Sequence, residues 1–263
     1  MFGNGREDFN VLYSRISFYL LGESDDCMRW LGLFEKNPNV VSSSARILDQ
    51  TTFLRQFKSR RDVVHYLSVW CEAIIDIAKK KGKKVIDLTD KKATRLRVSG
   101  TLDKKPVRFV MFNGHGDENL IAGYKNEYLI KSPGNERLLK DKIVYCRSCS
   151  SAKKLGPDSV ISGADAFIGY DNEFIFVYES RSITNPLKDT TASLFLTPTN
   201  KLVISILKGN KVNYSYEKSQ ELFKQNISKL LSSKTSDDDR ELIRYLYWDY
   251  IHQIYHGDGE AKY

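Results

Sequence analysis

Apolar positions along this chain change period several times, and each change marks an element. Val63, Val64, Leu67, Trp70, Ile74 and Ile77 recur at helical spacing, with Asp62 in the first turn, so a helix is expected over 59–81. It stops near Gly82, and 84–88 resumes as a short strand. Residues 95–101 alternate like a second strand, and 107–112 is an apolar third. Residues 143–145 and 166–169 are two more runs of the buried type, and 174–177 is read as a sixth strand. Beyond Pro186 the pattern turns helical: 202–207 ends at Gly209, 216–231 is a long amphipathic stretch, and 242–255 is another. Ser236 and the three aspartates after it supply an acceptor and negative charge to the start of that last helix. Strands alternating with helices predict an α/β fold, with a mostly parallel sheet covered on both faces and a helical C-terminal layer. Within residues 1–45, 10–21 has helical or strand-like hydrophobicity and 27–34 is a second short apolar segment, after which Asn37-Pro38-Asn39 and Ser42-Ser43-Ser44 break the pattern as loops do. Residues 1–45 are read as an N-terminal extension of open role, recognition or inhibition included, ahead of one domain over 46–263.

Two of the expected strands end in turns that carry reactive side chains. Val110-Met111-Phe112-Asn113 runs into Gly114-His115-Gly116, and Ile143-Val144-Tyr145-Cys146 runs into Arg147-Ser148-Cys149-Ser150-Ser151-Ala152. Neighbouring parallel strands would hold an imidazole and a thiol together at their carboxyl ends, where open α/β sheets place their sites. A thiol becomes a strong nucleophile when a base or a positive field draws off its proton, and an imidazole does this. Glycines on both sides of His115 let the backbone turn sharply and approach a substrate. The small residues after Cys149 leave room for a helix to start there, which would lower the thiol pKa. Cys149 is the expected nucleophile and His115 the acid/base, with the N–H groups of Gly116 and Cys149 as an oxyanion hole. Cys146 is read as a buried strand residue.

Composition narrows the setting. The chain has 263 residues, 41% of them hydrophobic, and a net charge of +8, the profile of an ordinary globular protein. The densest basic run, Lys79 to Lys84 around Gly82, fits a helix end, and no aromatic residues interleave with it as a nucleic-acid surface would require. Four cysteines in a chain this long do not suggest a disulfide framework. Arg6, Glu7 and Asp8 precede the first apolar run, unlike a secretory signal. No apolar stretch approaches the ~20 residues of a membrane span. A cytoplasmic protein with reduced thiols and no membrane partner is expected.

Asn113-Gly114-His115-Gly116, Ile121-Ala122-Gly123-Tyr124 and Cys149-Ser150-Ser151-Ala152 together resemble the caspase-type (clan CD) cysteine peptidases, a group that includes metacaspases, separases and the bacterial CHAT peptidases. Leu155-Gly156 and the run Gly163-Ala164-Asp165-Ala166-Phe167-Ile168-Gly169-Tyr170 extend the resemblance, and His256-Gly257-Asp258 is similar to a Gly-Asp signature that often closes CHAT-type domains. It covers roughly residues 45–260 and is strongest over 105–172. The resemblance implies a caspase-like α/β sandwich, a Cys–His dyad, no obligatory metal or cofactor, and a protein substrate. It also implies defence or regulated cell death as a setting, with an activating protease or recognition protein as partner.

The resemblance leaves specificity open. In caspase and metacaspase relatives the residue two before the nucleophile lines the primary pocket, and here it is Arg147, which suits an acidic side chain. In separase-like relatives an acidic residue beyond the next strand receives a basic one, and Asp171 lies in a comparable place, with Asp117 adding negative charge after the histidine. The segment 178–188 is read as a lid or processing site, with a cut after Arg181 raising activity. The runner-up reading is a non-hydrolytic zinc- or partner-binding module, in which Cys146-x-x-Cys149 and His252-x-x-x-His256 supply zinc ligands. A redox dithiol at the same cysteines would leave His115 without a task.

Overall fold

The computed structural model of the chain describes residues 44–48, 51–55 and 63–263. The expectation for 1–45 therefore lies, apart from its last two residues, outside the described residues. Those two open a strand, β1 (Ser44–Leu48), which crosses the expected boundary and is followed by β2 (Thr51–Arg55). Helix α1 (Val63–Lys80) ends on Lys79 and Lys80, and β3 (Val85–Thr89) follows.

The sheet is built around β4 (Phe109–Asn113), β8 (Ile143–Arg147) and β9 (Ala166–Tyr170), which run parallel side by side. Every residue of these three strands is buried, because helices cover both faces. The strand period of two divides their side chains between the faces. Val110, Phe112, Val144, Cys146 and Phe167 pack with Val98, Leu102 and Leu155 on one side. Phe109, Met111, Ile143, Tyr145 and Ile168 pack with Cys71, Ile74, Leu202 and Val203 on the other. Toward β3, both β1 (antiparallel) and β2 (parallel) register with β3 and β4. A mixed α/β fold with a mostly parallel sheet flanked by helices is thus present, as the periodicities predict.

Three assignments change. Residues 95–101 form not a strand but the start of helix α2 (Arg95–Lys104), capped by Thr94, whose side chain accepts from the Arg97 N–H. Val98 and Leu102, one turn apart, face the core while Leu96 is 83% exposed, so the apparent alternation was the edge of a helical stripe. Residues 174–177 pair with no strand, because the place beside β9 is filled by β10 (Gln253–Gly257), antiparallel to it. For the same reason the last helix, α7 (Leu242–His252), ends three residues early and passes straight into β10.

Other elements extend the reading. Between β4 and β8 the chain adds a three-stranded antiparallel sheet, β5 (Gly116–Asp117), β6 (Leu120–Ala122) and β7 (Tyr128–Lys131). Helix α3 (Leu155–Ile161) precedes β9. Helix α4 (Thr190–Leu207) begins well before the expected 202, capped by Asp189, and carries Pro198 within it. Then come α5 (Val212–Leu230) and α6 (Asp237–Arg240), the latter capped by Ser236 as its hydroxyl predicts. Helices α1, α4, α5 and α7 enclose a third apolar cluster that includes Tyr66, Phe195, Phe223 and Leu246. Among the described residues no helix is long and apolar enough to cross a membrane.

Gly257 closes β10 at φ 92°, where a Cβ would stand 2.6 Å from the Asp165 carbonyl oxygen and 3.0 Å from Ala166 Cα. Gly257→Ala is expected to destabilise the fold by about 1–3 kcal/mol, measured by urea denaturation; an unchanged midpoint would contradict the packing described for β10.

Candidate active site

The in-register pairing of β4 with β8 sets Asn113 opposite Arg147 and brings the two following turns to the same end of the sheet. The Gly114 N–H donates to the Arg147 carbonyl at 3.1 Å, which ties the turns together. Gly116 then comes so close that a Cβ on it would lie 2.8 Å from Ser148 Cβ and 3.1 Å from the Cys149 carbonyl oxygen. His115 sits between these two contacts, exposed, beside the Cys149 turn. The Ala122 N–H bonds the His115 carbonyl, so Gly116 faces Ile121 as a non-hydrogen-bonded pair. The Gly116 N–H therefore points away from that ladder.

Cys149 is half-buried and unbridged. Burial pushes its thiol up to about 11, and the carboxyls of Glu173 and Asp249 push the same way. The Phe174 N–H donates to the sulfur and offsets part of this. No helix starts at Ser150, contrary to expectation. The Ser150 N–H is bound by the Asn172 carbonyl and that of Ala152 by Tyr170, and α3 begins only at Leu155.

The three expected substrate-binding residues go to different places. Asp117 is exposed in the β5–β6 hairpin, where its carboxylate accepts from the Glu118 N–H. Asp171 does not meet Arg147; its Oδ1 lies 2.7 Å from His252 Nδ1. Arg147 is completely buried on the α1/α4 side of the sheet. Its Nε donates to Asn113 Oδ1 at 2.5 Å, and its Nη1 to Thr199 Oγ1 at 3.2 Å and Asn200 Oδ1 at 2.9 Å. Among the described residues its Nη2 has no partner. A guanidinium held by neutral oxygens keeps a fixed positive charge behind the Cys149 turn, at a desolvation cost that draws its pKa down.

Compared with known proteins, the chain matches no family model and no curated protein.

The proposed zinc ligands are dispersed. Cys146 lies within the core on the α2/α3 face, His252 is held by Asp171, and His256 Nε2 lies 2.8 Å from the Ala152 carbonyl oxygen. Among the described residues no three His, Cys, Asp or Glu side chains are grouped to hold a metal.

Two acidic residues at the site went unread in the sequence. Asp249 is fully buried, with Oδ1 accepting from the Ile175 N–H at 3.0 Å and Oδ2 without a partner among the described residues. Burial holds its carboxyl far above the usual carboxylate range. A signal was present: Leu242, Leu246 and Asp249 share one helical face, so an acid stands where the pattern calls for an apolar residue. Glu173, half-buried with Oε2 shut off from any partner, is likewise raised by desolvation. It gave no such signal, because it lies in a loop.

The thiol shift sets a pH dependence. The folded thiol keeps its proton to about 11, whereas an unfolded one releases it near ~8.5. This contribution to stability is thus complete below the unfolded value and is lost as pH rises through the folded one. Alkylation of Cys149 by iodoacetamide, followed by mass spectrometry, is expected to climb with pH and level off only near 11; a plateau reached by pH ~8.5 would refute the desolvated environment.

Proposed function

We propose that the chain is a cysteine endopeptidase of caspase-like type, with Cys149 as nucleophile and His115 as acid/base. The observation that carries this is the close approach of the His115 turn to the Cys149 turn, which needs a glycine at 116. The Cys149 sulfur attacks the carbonyl of the scissile bond as its proton passes to His115. The negative charge that develops on the carbonyl oxygen meets the N–H groups of Gly116 and Cys149. Collapse breaks the C–N bond, His115 returns the proton to the leaving amine, and water then hydrolyses the thioester. Of the two charges that resemblance offers for specificity, Asp171 is engaged by His252 while Arg147 keeps one nitrogen unpartnered. An acidic residue before the scissile bond fits that arrangement, and a regulated role on a protein substrate fits a thiol that rests protonated.

The test is incubation of a proteome-derived peptide library with the wild-type protein, Cys149→Ala and His115→Ala. Cuts are expected after acidic residues with wild type and none with Cys149→Ala. His115→Ala is expected to slow cleavage by about a hundred- to ten-thousandfold. Identical products from wild type and Cys149→Ala would overturn the reading.

A further inference from the structure

Residues 171–178 run from the end of β9 across the Cys149 turn without joining any strand. Their backbone is held instead by one turn of α7. The Asp171 N–H donates to the His252 carbonyl at 3.1 Å, and its carboxylate meets His252 Nδ1. The Trp248 Nε1–H donates to the Glu173 carbonyl at 2.9 Å, and the Ile175 N–H donates to Asp249 Oδ1 at 3.0 Å. Between these anchors the segment grips the candidate nucleophile's turn: the Asn172 carbonyl accepts from the Ser150 N–H at 2.8 Å. Aromatic side chains continue the hold in a ladder from Tyr170 through Phe174 and Phe176 to Tyr178 and Tyr66, with centroids 4.5–6.0 Å apart.

We propose that 171–178 is a strap, fastened by the Trp248–His252 turn of α7, that closes Cys149 off from substrate, and that its release from α7 opens the site. As a switch on catalysis this rests on the peptidase reading; the closure itself does not. Two features make the closed position one that can be left. Its bonds to α7 run mostly to side chains, so opening breaks no sheet ladder. The closed strap also shuts Glu173 Oε2 and Asp249 Oδ2 away from any partner, and an unsatisfied buried acceptor favours whatever restores water to it.

Iodoacetamide labelling of the native protein, read by mass spectrometry on each cysteine peptide, tests this without any substrate. The fully buried Cys71 and Cys146 serve as internal reporters of global unfolding. Cys149 is expected to label at least about tenfold more slowly in the native than in the denatured wild type. Trp248→Phe, which removes the indole donor, and Asp249→Leu, which removes the acceptor for Ile175, are each expected to raise its rate by about five- to tenfold. They should also move its pH inflection down toward an ordinary thiol, with Cys71 and Cys146 still unlabelled. Wild-type labelling as fast as in the denatured chain would overturn the strap, as would wild-type rates in both variants. Should the variants unfold, hydrogen exchange on the wild type decides: an Ile175 amide as unprotected as a free loop overturns the proposal, and a protected one that opens at the rate limiting Cys149 labelling supports it. Labelling as expected with no peptide cleavage, by the wild type or by either opened variant, would refute the peptidase and leave the strap standing; cleavage with an unprotected thiol would do the reverse.

Discussion

The parallel pairing of β4 with β8 is the constraint on which the rest of the structure depends. Parallel neighbours point their carboxyl ends the same way, so whatever follows each strand meets at one rim. Here the register places Asn113 opposite Arg147, and the next residues must share a space too narrow for two side chains. The chain resolves this at Gly116, whose missing Cβ lets the two turns touch. The double burial of both strands fixes that register, because a slip of one residue would exchange the two core faces along the whole strand.

The same pairing explains what was legible from the chain. A strand buried on both faces is a short continuous apolar run, and 107–112, 143–145 and 166–169 stand out as such. Reactive side chains in the turns after them are legible for the same reason, since their place follows from strand ends alone. Errors arise where local pattern and tertiary context part. Leu96 and Val98 look like alternation, but only the second is on the helical stripe that reaches the core. Residues 253–257 continue an amphipathic helix on paper, yet the open flank of β9 offers backbone partners that no local pattern reveals. Once β10 fills that flank, 174–177 has no ladder to join, despite its apolar composition.

Buried ionisable groups were the least legible part of the site. Arg147 and Asp249 are both fully buried, and neither has a counter-ion at hydrogen-bond distance. Each is held by neutral groups on one side and left short by one atom on the other. Sequence could suggest a charge near the nucleophile but not its depth, because depth depends on α4 and α7 closing over the rim from far along the chain. Ionisable groups buried in this way weaken a fold more often than they strengthen it. Their presence beside the candidate nucleophile argues that the arrangement belongs to the site.

A thiol and an imidazole on adjacent strand ends are necessary for the proposed chemistry, but they do not fix reactivity. Burial and two carboxyls hold the proton on Cys149, and the Phe174 N–H on its sulfur offsets only part of that. A nearby helix start would have done the opposite, and the chain places that start at Leu155 instead. The same segment that supplies Glu173 also supplies the Phe174 N–H on the sulfur and the Asn172 carbonyl on Ser150. Removing it would therefore change solvation, charge and access at once. Two strands set where the candidate nucleophile stands; in the proposed scheme a segment belonging to neither strand, fastened to a helix some seventy-five residues later in the chain, sets whether it can act.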